Sequence, residues 1–244
     1  MEVRTSIIDK RLKNVKKIIA VASGKGGVGK SLVASTLAFG LSKKGYKVGL
    51  FDLDLYGPSS HIILGLDNFE FPEEEKGIKP YKVHDIKFMS IVYFTEDKPA
   101  PFKGDDISNI ILELLAITKW KHLDYLIIDM PPGIGDETLD IIKYVKRAEF
   151  LVVSTPSKVS MGAVDKLLKL LKELKIPIIG IIENMKIDGS KYIEDEVTKM
   201  DLKYLGAVFF DKKLEEAIGI PDMLTKTSFY QDFDKILKKH NNLK

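Results

Sequence analysis

The chain has 244 residues, with 38 Lys plus Arg against 35 Asp plus Glu, a formal net charge of +3, and no cysteine. That balance argues against nucleic acid as a partner, the missing cysteines exclude disulfides, and no apolar run approaches the ~20 residues that span a bilayer. The opening MEVRTSIIDK has no signal-peptide core, so the expectation is a cytoplasmic protein folding around one core.

In chain order, the densest basic run comes first: Lys10, Arg11, Lys13, Lys16 and Lys17. It is expected as a basic, solvated arm over residues 1–16, with an anionic partner or a membrane surface as the alternative use. Residues 17–244 are expected to form one domain. Its first strand, 18–22, runs into the loop GKGGVGKS and then a helix over 31–43. A second strand follows at 48–53. Residues 67–80, rich in Glu, Pro and Gly, read as an exposed stretch, and with short strands near 81–83 and 87–92 they make an insertion over about 67–92. A helix at 105–118, a strand at 123–129, a helix at 135–146 and a strand at 150–154 come next. Helix 158–174, strand 176–182, strand 207–210, helix 211–218 and an amphipathic helix over about 228–240 complete the chain. Near-continuous apolar strands alternating with helical periodicity predict a single-domain α/β fold, with a mostly parallel, doubly wound sheet and helices on both faces. Ligands of such sheets bind at the carboxyl ends of the strands.

GKGGVGKS satisfies the phosphate-loop pattern G-x-x-x-x-G-K-[ST] through Gly24, Gly29, Lys30 and Ser31, in the strand–loop–helix setting that the motif requires. Glycines allow tight turning, and successive N–H groups then face phosphate oxygens beside a helix N-terminus. The cofactor-binding segment is therefore Gly24, Lys25, Gly26, Gly27, Val28, Gly29, Lys30, Ser31 and Leu32. Lys30 is expected at the β- and γ-phosphates and Ser31 at Mg²⁺. The chain reads as a P-loop NTPase.

Two acidic motifs fall at strand ends. Asp52 and Asp54 flank Leu53, and strand alternation would place both on one side. Asp129 closes the run YLII, where burial of a lone carboxylate is costly. It suits a Mg²⁺ contact through water, with helix capping as the other reading. Gly133, in the loop that follows, is a candidate N–H donor to the γ-phosphate. The metal set is thus Ser31, Asp52, Asp54 and Asp129.

GKGGVGKS, DLDLYGPS and LDYLIIDMPPGIGDE together resemble the Mrp (ApbC-type) family of the MinD/ParA ATPases, over about residues 16–211. The resemblance implies a deviant loop whose extra lysine, Lys25, crosses a homodimer to the other subunit's ATP. It implies that Asp54 orients the attacking water and that Asp52 supports the Mg²⁺ hydration shell. The catalytic set is then Asp54, Lys25 and Lys30. Guanine-specific relatives carry N-K-x-D; here Glu183-Asn184-Met185-Lys186 is similar to the family's E-N-M segment, in which the asparagine faces adenine. A buried structural role for Asn184 stays open. Asp211 falls where relatives place a loop against the base.

Typical Mrp-type carriers have a C-x-x-C pair after E-N-M, whereas this chain reads KIDGSKYIEDEV and has no cysteine. His61, His84, His122 and His240 lack metal-ligand spacing. No bound iron–sulfur cluster is expected; the partner is a client protein, an iron–sulfur protein or scaffold that brings its own ligands. The competing expectation is a MinD/ParA-like positioning ATPase that acts on a membrane or nucleoid through the 228–240 helix, where Phe229, Phe233, Ile236 and Leu237 share a face; a face of this kind more often packs back onto its own domain.

Overall fold

The computed structural model describes residues 2–67, 72–95, 104–240 and 243. The elements, in order, are α1 (Glu2–Leu12), β1 (Val15–Ser23), α2 (Lys30–Lys43), β2 (Val48–Asp52), α3 (Ser60–Ile63), β3 (Tyr81–Val83), β4 (Ile86–Ser90), α4 (Val92–Thr95), α5 (Gly104–Ile117) and β5 (Leu123–Asp129). They continue with α6 (Asp136–Tyr144), β6 (Ala148–Ser154), α7 (Lys158–Glu173), β7 (Ile178–Lys186), α8 (Tyr192–Lys199), β8 (Tyr204–Phe209), α9 (Leu214–Ala217), α10 (Pro221–Leu224) and α11 (Ser228–Lys239).

The strands form one sheet in the order β3-β4-β2-β5-β1-β6-β7-β8. Only β3 runs antiparallel to its neighbour among them. Ile18, Ile19, Ala20 and Val21 are all buried, as are Leu126, Ile127 and Ile128. Burial at successive positions means that both faces of these strands are covered, which is what a run without polar alternation encodes. From β1 the chain steps outward through β2 on one side and, after β5, through β6 on the other. The carboxyl end of β1 is therefore the point where the winding reverses and where a ligand crevice opens. The registers Asp52↔Asp129 and Val21↔Asp129 bring three strand ends together there.

Two expectations need correction. The basic N-terminal segment is not a solvated arm. Ile8 and Leu12 are buried, α1 packs on α5, and Arg11 donates from Nε to the Ala116 carbonyl at 2.8 Å. Arg147 ties down the turn after α1 by donating to the Leu12 and Val15 carbonyls at 2.7 and 3.1 Å. Charge density alone hid the apolar stripe between the basic residues.

In the stretch 67–92, residues 73–76 are exposed and the two short strands expected are present as β3 and β4, both joined to the sheet. Residues 68–71 lie outside the described residues, but β4 pairs with β2 in parallel, and Ile78 is buried with its N–H donated to the Ile117 carbonyl at 2.8 Å. The four-residue α9 replaces the longer helix expected over 211–218, because Ile218 is extended and Gly219 adopts a left-handed φ of 75°.

The amphipathic helix expected over about 228–240 is present as α11. Phe229, Phe233, Ile236 and Leu237 are buried, and the helix lies on β8 and α2. The contact with α2 is close enough that a Cβ on Gly40 would meet Leu237 Cδ1 at 2.9 Å. This apolar face is spent on the protein's own core, which removes the sequence feature that favoured a membrane-acting helix. Among the described residues no helix is long and apolar enough to cross a membrane.

Candidate functional site

Residues Gly24–Gly29 turn between β1 and α2. Gly27 and Gly29 hold φ of 76° and 77°, the left-handed region that side-chain-bearing residues avoid. Space forbids a side chain as well: a Cβ on Gly24 would meet the Ala163 backbone at 2.4 Å, and one on Gly29 the Asn184 amide at 2.3 Å. Gly29 caps α2 without a side-chain acceptor, so the first N–H groups of a 14-residue helix are left to bind an anion.

Behind the loop lies a buried charge cluster. The Lys30 ammonium contacts Asp129 Oδ1 at 2.5 Å and Ser31 Oγ at 3.3 Å, and stands 4.0 Å from Asp54 Oδ2. Asp129 is fully buried, and its second oxygen accepts from Ser60 Oγ at 3.1 Å. Asp52, beside it in the sheet, accepts from the Asp54 N–H at 3.1 Å and the Ser60 N–H at 3.2 Å. Burial and the neighbouring Asp129 carboxylate push the Asp52 pKa well above the usual carboxylate range. Asp54 lies beyond the end of β2 and accepts from the Gly57 N–H at 3.1 Å.

The two aspartates both lie near Lys30 but differ in place, Asp52 buried at the end of β2 and Asp54 beyond it. Asp52 braces the turn from behind, while Asp54 is the carboxylate within reach of Lys30. Ser60, which joins both Asp52 and Asp129, was missed by sequence reasoning. Its only signal was its place directly after the GPS of DLDLYGPS.

The arrangement can bind a cation among oxygens. An ammonium already sits among Ser31 Oγ and the carboxylates of Asp129 and Asp54, and hard oxygen donors of this kind suit Mg²⁺. Gly133 takes φ 90° but gives its N–H to the Ser23 carbonyl at 3.0 Å, so its expected role at a γ-phosphate requires that this bond be exchanged. Lys25 is half-exposed and has no acidic partner among the described residues. Exposed Tyr56 and Ile134 stand in the loops that follow the carboxyl ends of β2 and β5, and exposed Val159 lies in the first turn of α7, after β6, on the same edge of the sheet.

At the other wall of the crevice, Asn184 is buried and donates from Nδ2 to the Val28 carbonyl at 2.9 Å, tying β7 to the phosphate loop. Asp211, expected near the base, is engaged at the start of α11 in this structure. Its Oδ2 accepts from the Ser228 N–H, Ser228 Oγ and the Phe229 N–H at 2.8, 2.7 and 3.3 Å, and its Oδ1 accepts from the Lys213 N–H at 2.9 Å. Those bonds hold its pKa below the usual range and fasten the start of α11. Asp211→Ala should lower stability by about 1–2 kcal/mol while ATP affinity stays within about twofold. Urea midpoints and a nucleotide titration check this, and a large affinity loss at unchanged stability would restore the nucleotide role.

Past Asn184, Lys186 pairs with buried Glu183 at 2.8 Å and also bonds to the Ser190 carbonyl, and Tyr204 donates to Glu183 at 2.6 Å. An ammonium thus anchors the segment that carries C-x-x-C in the resembled family. Among the described residues, no group of three or more Asp, Glu or His side chains is placed to hold a metal ion. His84 and His240 are held by the carbonyls of Leu64 and Leu205 at 2.9 and 2.7 Å.

Comparison with known proteins places these features in context. Residues 14–239 match the model of a ParA-type family described as the NUBPL iron-transfer P-loop NTPase. The iron-sulfur cluster carrier protein of Aquifex aeolicus is 38% identical over 222 residues, covering 85% of this chain and 61% of that protein. The one from Methanocaldococcus jannaschii is 38% identical over 250 residues, covering 95% and 86%. The chain spans about 62% of the carrier protein from Pseudomonas fragi, at 40% identity over 179 residues. Among solved structures, a nucleotide-binding protein of Archaeoglobus fulgidus in complex with ADP superposes with a TM-score of 0.79 at 30% identity, covering 94% of this chain and 96% of that one. MinD of Pyrococcus horikoshii, complexed with Mg-ADP, shares the fold at a TM-score of 0.70 and 22% identity, covering 93% and 96%.

Proposed function

The chain belongs to the NUBPL iron-transfer P-loop NTPase family, and from that premise we propose that it is a Mg²⁺-dependent ATPase, a homodimeric switch acting on an iron–sulfur client. The observation that carries the reading is the Lys30 ammonium held among Asp129, Ser31 and Asp54 at the mouth of an uncapped helix. In the complex with ATP, the N–H groups of the loop and α2 bind the phosphates, and Lys30 exchanges Asp129 for phosphate oxygens. Ser31, Asp54 and Asp129 are the residues that would hold Mg²⁺, with Asp52 bracing them. When bound, Mg²⁺ neutralises charge across the phosphates. Adenine is favoured over guanine because N-K-x-D is missing and Asn184 stands beside the loop.

Asp54 orients a water for in-line attack on the γ-phosphorus. The water oxygen forms the new P–O bond, the bond from the γ-phosphorus to the bridging oxygen breaks, and ADP leaves with that oxygen. Lys30, and Lys25 from the second subunit, stabilise the charge on the transferring group. Gly133, released from Ser23, reports the γ-phosphate to the loop that carries Ile134, which supports a dimer that closes with ATP and opens with ADP. The residues present do not fit an iron–sulfur cluster of this chain's own. Thiolate is lacking throughout, and oxygen or imidazole replaces it poorly. The client therefore supplies the ligands.

Phosphate release from ATP tests the proposal. Release should saturate with ATP and fall to background when EDTA removes Mg²⁺. Background release in the presence of Mg²⁺, with and without candidate iron–sulfur proteins, would contradict it.

A further inference from the structure

Because β2, β4 and β5 are parallel neighbours, the residues that precede them gather at the edge of the sheet opposite the phosphate loop. A cavity of about 700 Å³ opens there, and lysines crowd it. Three of them are already balanced: Lys79 by Glu73 at 2.7 Å, Lys82 by Asp85 at 2.8 Å, and Lys119 by Glu75 at 3.7 Å. The other three make no ion pair, although Asp124 and Glu75 act on Lys47 and Lys121 from a longer distance. Among the described residues, Lys47, Lys87 and Lys121 have no carboxylate within ion-pair distance, and the Asp124 carboxylate that accepts the Lys47 N–H is taken by Lys16 at 2.8 Å.

Lys87 projects from β4 and is half-buried, and its ammonium donates to the Trp120 carbonyl at 2.5 Å. Burial, and then the charges of Lys121 and Lys47, pull its pKa down. Three like charges converging on one cavity are repulsive until an anion joins them.

The shape selects the class of anion. The volume falls within the ~300–1,000 Å³ typical of small-ligand pockets. Val48 and Leu123 give it an apolar floor, and Asp85 at its lining, with Glu73 and Glu75 on its lysines, would repel an extended polyanion. We propose that this cavity binds a small phosphate-bearing anion, with Lys47, Lys87 and Lys121 as its receptors. It is a second anion site, independent of the ATP-dependent switch.

Calorimetric titration with pyrophosphate, and in parallel with ADP, tests this on the full chain. Wild type should show two sites, one at the phosphate loop and one here. Lys47→Gln combined with Lys121→Gln should weaken one site at least about tenfold and leave the other intact. Lys87→Met, which keeps the aliphatic stem and the fold, should act on the same site. Tighter binding of ADP than pyrophosphate at this site assigns an organic phosphate seated on the apolar floor, and the reverse assigns a free one; both support the site. Isotherms unchanged by both variants would overturn it. So would lysine-dependent binding of a 20-base-pair duplex without any lysine-dependent pyrophosphate binding. Loss of the loop site alone would count against the ATPase reading and not against this one.

Discussion

Lys30→Ala is expected to cut ATP turnover at least about a hundredfold and to destabilise the protein in the same substitution. Removing one preorganised charge from the transferring phosphoryl group costs about 10²–10³ in rate. The stability effect has a separate cause. Asp129 is fully buried at the end of β5, and Lys30 is its partner at 2.5 Å. Breaking a buried pair by deleting one member costs about 3–5 kcal/mol, because the remaining charge is left in a medium that cannot solvate it. Ser60 Oγ, still bonded to Asp129, limits that cost without replacing a cation. Adding Asp129→Asn to Lys30→Ala should recover most of the lost stability and none of the turnover. Urea midpoints and phosphate release measure the two arms. Lys30→Ala with wild-type turnover would refute the role given to the cluster.

Lys25→Ala should behave in the opposite way. Lys25 is half-exposed with no acidic partner among the described residues, so its removal should move stability by less than about 0.5 kcal/mol. ATP affinity of the single subunit should change little, because Lys30, Ser31 and the loop N–H groups remain. Turnover should fall by about 10³ or more, the scale on which a cation supplied in trans acts on phosphoryl transfer. Mixing Lys25→Ala with Lys30→Ala subunits should recover part of the activity, since a mixed dimer holds one subunit with its own Lys30 and its partner's Lys25. Unchanged turnover in Lys25→Ala would remove the reason to place this residue across a dimer.

The sheet and the phosphate loop were legible because each rests on local rules. Unbroken apolar runs encode strands buried on both faces, and GKGGVGKS encodes a turn that only glycines at positions 27 and 29 can make. Residues whose roles depend on distant partners were harder to read. Asp211 looked like a base contact by position, and one of its oxygens accepts from backbone 17 and 18 residues away at the start of α11. Ser60 gave no pattern of its own and became visible only when the sheet placed Asp52 beside Asp129. The basic run at the N-terminus misled because charge was weighed and the spacing of Ile8 and Leu12, one helical turn apart, was not. The phenylalanines of α11 were found correctly as one helical face; what covers that face is β8 and α2, a tertiary fact.

In the proposed switch ATP, and not ADP, closes a homodimer through the loop that bears Lys25. Sedimentation velocity of Asp54→Asn, with ATP and Mg²⁺ and then with ADP and Mg²⁺, tests it most directly, because the variant should bind ATP and fail to hydrolyse it. A dimer is expected with ATP and a monomer with ADP, with the ATP dimer lost when Lys25→Ala is added. The same sedimentation coefficient in both nucleotides would contradict it.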